Sequence, residues 1–426
     1  MHPAIAPAYT LLTGAVARAA HLPWPGEGKI ARSLRARRDA VPRLLVWAAA
    51  HRDPARPLLW THAASVGEGL MARPVLERVR AQHPDWQIVH TYFSPSAERF
   101  ATTLPTDVTG YLPFDTTAAA GALLDALRPT ALVAAKGDLW PILWTAATRR
   151  GVRTGLISAT LDARSARTGA LARALMHEAY AALTAVGAVD ADDAERLIVL
   201  GVPRERIVVT GDTRYDQVVA RVAALDRTAG PVGALADDRP TVVAGSTWPA
   251  DERVLCRAWE RVVHEVPAAR LIIAPHEPTE RHLEPLASWA SLTGLDAAPL
   301  GAATPDTDVV LVDRVGVLAD LYALADVAYV GGGFHRAGLH SVVEPAALSV
   351  PVIVGPRHAG SRDARRLLDA QGAVAAPDIA SLARAMRIAL TEPETRARAG
   401  AAARQVVEAE RGAADRSTAL VETLMA

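Results

Sequence analysis

The sequence predicts an α/β protein built as two doubly wound halves, and three observations carry that expectation. Short apolar, β-rich runs alternate with amphipathic stretches from residue 58 onward. Two glycine-rich turns lie in opposite halves: Thr61-His-Ala-Ala-Ser-Val-Gly-Glu68-Gly, and Tyr329-Val-Gly-Gly-Gly333 running on to Glu344-Pro. Each follows a strand-like run and sets a glutamate near a helix start. Between them, Thr228-Ala-Gly-Pro-Val-Gly and Ala236-Asp-Asp-Arg-Pro240 supply the breakers of a domain boundary.

In chain order, the first half offers strands at Leu58–Ala64, Gln87–Phe93, Ala131–Ala135, Thr154–Ala159, Leu183–Val189 and Ile207–Gly211. The second offers Thr241–Gly245, Arg270–Pro275, Asp308–Val312, Val327–Gly331 and Pro351–Gly355. Amphipathic stretches such as Gly69–Gln82, Ala118–Leu127 and Asp251–Val266 are the helices between them. Apolar strands alternating with helices read as parallel sheets covered on both faces. The expected division is an N-terminal segment 1–50, a first domain 51–212, a linker 213–239 and a second domain 240–426, which closes with alanine-rich helices at 380–392 and 394–425.

Bulk properties exclude several classes. Half of the 426 residues are apolar, as a globular chain requires. Lys+Arg and Asp+Glu are both 46, so no global charge favours nucleic acid. The one cysteine, Cys256, permits neither an intramolecular disulfide nor a cysteine-based metal site. Residues 3–24 are mostly apolar, interrupted by Arg18 and His21, and end at Pro23-Trp24-Pro25; the basic Lys29, Arg32, Arg35, Arg37, Arg38 and Arg43 follow. With no basic region ahead of the run, a cleaved secretory signal is not expected. An interfacial helix on anionic lipid, a membrane span and an ordinary packed helix all remain open.

The candidate chemistry gathers at strand ends, where open α/β sheets place ligands. Ser65-Val-Gly-Glu68 reads as a helix capping box, or as a glutamate poised to take a proton from an attacking hydroxyl. In Lys136-Gly-Asp138-Leu-Trp-Pro141, Lys136 would hold an anionic sugar or phosphate and Asp138 would orient an acceptor or Lys136; a surface ion pair is the plainer reading. Gly245-Ser246-Thr247 precedes a helix start, where backbone N–H groups and hydroxyls bind phosphate. His276-Glu277 ends the next strand, suited to a base or phosphate. Ser341 and Glu344 again read as a cap, or Glu344 as the acceptor of two ribose hydroxyls. The dinucleotide fingerprint, His/Cys metal motifs and a sugar-nucleotide metal motif are missing, since Asp190-Ala-Asp192-Asp193 reads as a solvated helix start rather than a metal site.

These residues fall in ordered motifs: WTHAASVGEGLMARPVL (60–76), TYFSPSAER (91–99), YLPFDT (111–116), KGDLWP (136–141), VTGDTRYDQV (209–218), AGSTWPADE (244–252), IIAPHEP (272–278), DRVGVLADLYALADVAYVGGGF (313–334) and HSVVEPAALSVPVIVGPRH (340–358). Together they resemble the 3-deoxy-D-manno-octulosonic acid (Kdo) transferases of lipopolysaccharide assembly over roughly residues 58–375. The resemblance implies a GT-B fold, two Rossmann-like domains facing across a cleft, and inverting, metal-independent transfer of Kdo from CMP-Kdo to a lipid A precursor at the cytoplasmic face of the inner membrane, with no cofactor. It implies Glu68 as general base and Asp138 as a second acidic site residue, with Ser65 and Lys136 toward the acceptor or the sugar carboxylate. CMP contacts would fall on His276, Glu277, Gly316, Val317, Leu318, Ser341, Val342, Val343 and Glu344, and phosphate contacts on Arg214, Ser246 and Thr247. The rival readings are a transferase of another sugar, a non-catalytic sugar-nucleotide or lipid binder, and a sugar-nucleotide epimerase.

Overall fold

A computed structural model describes residues 5–22, 28–161, 165, 167, 169–336 and 338–426. Pro23-Trp24-Pro25, the expected end of the N-terminal run, lies outside them. The chain divides into two compact units, Met1–Gln217 with Arg411–Ala426, and Val218–Glu410. Among the described residues each unit is built on a seven-stranded parallel sheet.

The first sheet comprises β1 (Leu58–His62), β2 (Gln87–Tyr92), β3 (Val108–Tyr111), β4 (Ala131–Ala135), β5 (Arg153–Ala159), β6 (Ala185–Ala188) and β7 (Ile207–Val209), in the order β3-β2-β1-β4-β5-β6-β7. Its central strands are apolar at every position because both faces are covered. Leu58 and Trp60 enter one core with Leu132 and Trp144, while Leu59 enters the other with Val133 and Leu76. This is the period-two alternation of a strand. The second sheet comprises β8 (Thr241–Thr247), β9 (Arg270–Pro275), β10 (Ala297–Pro299), β11 (Val309–Leu311), β12 (Val327–Val330), β13 (Val352–Val354) and β14 (Ala373–Ala375), in the order β10-β11-β9-β8-β12-β13-β14. Val242 and Val243 likewise face opposite cores. Each sheet has a switch point beside its first strand, between β1 and β4 and between β8 and β12; in the second sheet β11 is also inserted between β10 and β9. Those two switch points are where a doubly wound sheet opens to ligands at its carboxyl edge.

Three strands absent from the sequence reading, β3, β10 and β14, are all at sheet edges. They are short and paired on one side only, so their apolar pattern is thin. The expected linker 213–239 contains two helices, Thr213–Ala223 and Gly230–Leu235, and the second buries Val232 and Leu235. The expected second domain 240–426 gives up its end. The long terminal helix breaks after Pro393–Ala409, at Gly412 (φ +83°), and the Ala413–Met425 helix packs Leu420, Val421 and Leu424 into the first unit's core. Gly155 in β5 is required there, since a Cβ would sit 2.4 Å from Leu424.

The N-terminal segment forms α1 (Ala6–Ala19), α2 (Lys29–Arg38) and α3 (Ala40–His51). α3 buries Leu44 and Ala48 in the first core, while α1 buries none of its residues. No helix among the described residues is long and apolar enough to cross a membrane. The next helix, α4 (Val66–Gln82), leaves β1 and carries the first glycine-rich turn.

Candidate active site

Glu68 lies in the first turn of α4, where the helix dipole favours a carboxylate. The expected reciprocal cap does not form: Ser65 occupies the N-cap position without a side-chain cap bond, and its hydroxyl instead donates to Glu68 Oε2 at 3.0 Å. Lys136 Nζ stands 3.9 Å from Glu68 Oε1. These three sequence-identified residues therefore meet at the ends of β1 and β4. The glutamate side chain is 16% exposed, and the two glycines beside it have different reasons. A Cβ at Gly67 would meet nothing closer than 3.9 Å, leaving that side open, whereas one at Gly69 would strike the Phe100 ring at 2.5 Å.

Lys136 itself has φ +67°, a left-handed conformation that a side chain disfavours. It turns the chain sharply after β4 and places Asp138 over the sheet edge. Asp138 Oδ2 accepts from His62 Nε2 at 3.1 Å and from Trp140 Nε1 at 3.3 Å, and Arg167 lies 3.5 Å from Oδ1. Burial pushes the Asp138 carboxyl up, but the His62 bond and charge, Arg167 and Trp140 outweigh it and hold the group below the usual carboxylate range. Asp138 is thus a fixed anion, and His62 Nε2 must carry the proton between them. His62 is 1% exposed; its Nδ1 lies 3.1 Å from Thr91 Oγ1, which accepts from the Trp60 indole at 3.0 Å. Trp60 and His62 alternate onto the same face of β1, so two tight spacings in the sequence encode this support. His62 stands in the first motif but carries no signal of its own in the sequence.

Trp140 is braced from the N-terminal segment. It stacks on Phe93 (5.3 Å between centroids), and the Arg37 guanidinium of α2 lies 4.2 Å over Phe93 and 4.6 Å over Phe114. Arg37 also donates to the Leu112 and Pro113 carbonyls at 2.9 and 3.0 Å. Burial lowers its pKa to about 10, so it keeps its charge at neutral pH.

In the second unit Ser246 repeats the device of Lys136, with φ +54° after the core of β8. Thr247 is 1% exposed and donates its hydroxyl inward to Glu252 at 2.9 Å. The glycine turn after β12 is held by Asp251, which the sequence reading left without a role. Its carboxylate accepts from Tyr329 Oη (2.9 Å), Gly332 N (2.8 Å), Phe334 N (2.9 Å) and Trp248 N (3.0 Å). Gly331 in this turn admits the chain's own backbone, for a Cβ there would lie 2.3 Å from the Ser246 carbonyl.

Around Trp248 gather three imidazoles. His335 stacks at 4.3 Å, His276 lies at 4.7 Å, and the indole N–H donates to His340 Nε2 at 3.0 Å. His276 and His340 are themselves 4.4 Å apart. Burial, then the neighbouring His276, pushes His340 down, which keeps its acceptor nitrogen unprotonated. Glu277 is exposed beside His276.

Gly316, Val317 and Leu318 form a separate turn. Arg221 holds it through the Gly316 carbonyl (3.2 Å) and Asp320 (3.1 Å). Glu344 adjoins Arg221 and Asp320 and accepts the Ser341 hydroxyl, a second serine–glutamate pair in place of a cap. Val342 and Val343 are core side chains, so only their backbone can meet a ligand. Arg214 belongs to the first unit, where Asp212 grips its guanidinium at 2.6 Å. Asp190 and Asp193, read as a solvated helix start, are a helix cap and a buried anchor: Asp190 accepts from Asp193 N, and Asp193 from Leu161 N, both at 2.8 Å. No group of three metal-ligating side chains occurs among the described residues.

The family model of 3-deoxy-D-manno-octulosonic-acid transferase (kdotransferase) matches residues 34–217. The transferase of that name from Bordetella pertussis is 31% identical, covering 85% of this chain and 86% of the relative. That from Chlamydophila psittaci is 30% identical over 80% and 79%, and that from Haemophilus influenzae 27% over 84% and 85%. Among solved structures, UDP-GlcNAc 2-epimerase from Neisseria meningitidis bound to UDP-GlcNAc superposes with a TM-score of 0.63 over 86% of this chain and 99% of that one. At 14% identity, that likeness is one of fold.

Proposed function

The chain belongs to the 3-deoxy-D-manno-octulosonic acid transferase family, and from that premise we propose that it moves Kdo from CMP-Kdo to the lipid A precursor lipid IVA, with inversion at the anomeric carbon. It is a glycosyltransferase of lipopolysaccharide biosynthesis with the GT-B architecture. The observation that carries the mechanism is the setting of Glu68, bonded to Ser65 and beside Lys136 rather than folded onto its own helix. A carboxylate so placed can accept a proton. As an acceptor hydroxyl oxygen bonds to the anomeric carbon, its proton passes to Glu68. The carbon–oxygen bond to the phosphate breaks, and its electron pair leaves with CMP. One displacement at one carbon inverts it.

Asp138, held as an anion, has no proton to give at neutral pH; it orients the acceptor, while Lys136 faces a carboxylate or phosphate of the substrates. In the second unit Ser246 and the start of the Pro249–Glu265 helix serve the nucleotide phosphate, the flat faces of Trp248 and His276 serve the base, and Glu344 serves the ribose hydroxyls. Fixed donors of this kind stabilise the departing charge without a metal, so EDTA leaves the rate unchanged. We place the chain at the cytoplasmic face of the inner membrane, with the exposed apolar residues of α1 and the basic α2 meeting anionic lipid.

Incubation with CMP-Kdo and tetra-acylated lipid A precursor, read by mass spectrometry, tests the reading. A Kdo-bearing lipid and thermal protection by CMP but not UDP are expected. Release of UDP from a UDP-sugar without any acceptor would favour an epimerase instead.

A further inference from the structure

Beside the first unit's site lies a groove of about 550 Å³ that the proposed chemistry does not use. Leu12 and Val16 of α1, Leu34 of α2, and Phe93, Phe114 and Trp140 line it. Its charged members are already engaged. Arg37 is 6% exposed, bonded to two carbonyls and covered by rings. The Asp115 carboxylate accepts from Tyr9 Oη (3.0 Å) and from the N–H groups of Ile142 (2.9 Å) and Leu143 (2.8 Å). A phosphate or carboxylate would find the charged partners there already taken, so the wall suits an apolar occupant.

The groove adjoins the site through Trp140, which both lines it and donates to Asp138. Leu12 and Val16, also in its lining, are 62% and 40% exposed. An occupant with a polar head at Asp138 and an apolar tail against α1 suits that lining. We propose that this groove takes a fatty-acyl chain of the acceptor, so that the enzyme reads acylation as well as the sugar. The proposal rests on the lipid-acceptor reading above and narrows it to one subsite.

The test compares acylated lipid A precursor with the same disaccharide bisphosphate stripped of its acyl chains, in one detergent, with wild type and Val16→Trp. Wild type should favour the acylated acceptor by roughly tenfold or more in kcat/KM, since each buried methylene contributes. Val16→Trp should raise KM for the acylated acceptor, leave kcat nearly unchanged, and leave the stripped acceptor unaffected. Equal use of both acceptors by wild type overturns the proposal. So does an equal loss on both in the variant, or altered binding to acceptor-free anionic vesicles with the acyl preference intact, which would make the groove a bilayer contact. A second readout needs no variant: an acceptor with a photoreactive diazirine in its acyl tail should label peptides containing residues 9–16, 34 or 93, and labelling only elsewhere sinks the idea. If wild type transfers Kdo to neither acceptor, the parent reading fails first.

Discussion

The two switch points share a topology and differ in what their side chains face. In the first unit, carboxylates stand at the sheet edge beside donors and cations: Ser65 donates to Glu68 with Lys136 beside it, and His62 and Trp140 donate to Asp138 with Arg167 beside it. In the second, the well-bonded carboxylate, Asp251, is buried as scaffold, and an indole with three imidazoles forms the edge. On the proposed reading, one arrangement fixes charges where a proton moves and the other offers flat surfaces to a base, so similar switch points in two parallel sheets are put to different uses.

That contrast can be broken at its strongest point. Glu68→Gln should cut transfer by roughly 10²–10⁴-fold, as loss of a general base does, while CMP raises the melting temperature as in wild type. Near-normal transfer by this variant would reduce Glu68 to a structural residue.

His62→Ala should lower kcat by roughly 10–100-fold, on the scale of losing a supporting hydrogen bond to a site carboxylate. It also carries a pH signature. The folded Asp138 carboxyl is held below its ordinary value, so its stabilising contribution is complete above the unfolded pKa of about 4 and is lost as pH falls through the lower folded value. Without His62 the folded value rises toward the unfolded one, so that contribution shrinks and its loss is complete at a higher pH, and the acid limb of activity moves up with it. A wild-type acid limb in both activity and stability curves would contradict the assignment.

Asp251→Asn should leave the first unit's chemistry intact and destabilise the second by about 2–4 kcal/mol, since an amide cannot accept all four bonds; urea melts monitored by hydrogen exchange separate the units. The mildest effect belongs to Trp248→Phe, which keeps the stacking and removes the N–H to His340. A roughly three- to tenfold weaker CMP affinity by calorimetry, with kcat little changed, is the expected outcome.

Much of this was legible before any coordinates. The central strands announce themselves because both faces are buried, and the site turns follow because glycine, hydroxyl and acidic residues stand at strand ends. What the sequence hides is partnership. His62 meets Asp138 only because β1 pairs with β4, with His62 opposite Ala134. Asp251 becomes scaffold only because β12 lies beside β8. The serine–glutamate spacing predicts contact in both units, and in both the serine hydroxyl bonds the glutamate side chain, but only Ser341 also accepts from the helix backbone, at Val343 N, a difference that spacing cannot express. Nor does an amphipathic stripe say which core it joins, as the Ala413–Met425 helix demonstrates.

That helix makes the second unit an insertion within the first. On the ribosome, the first unit's sheet emerges early but lacks Leu420, Val421 and Leu424, which complete one of its faces. It must wait through synthesis of everything from Val218 to Glu410 before it can close. A nascent chain stalled near 410 would present a greasy, half-covered surface to chaperones and proteases, so quality control can recognise an unfinished molecule by its missing tail.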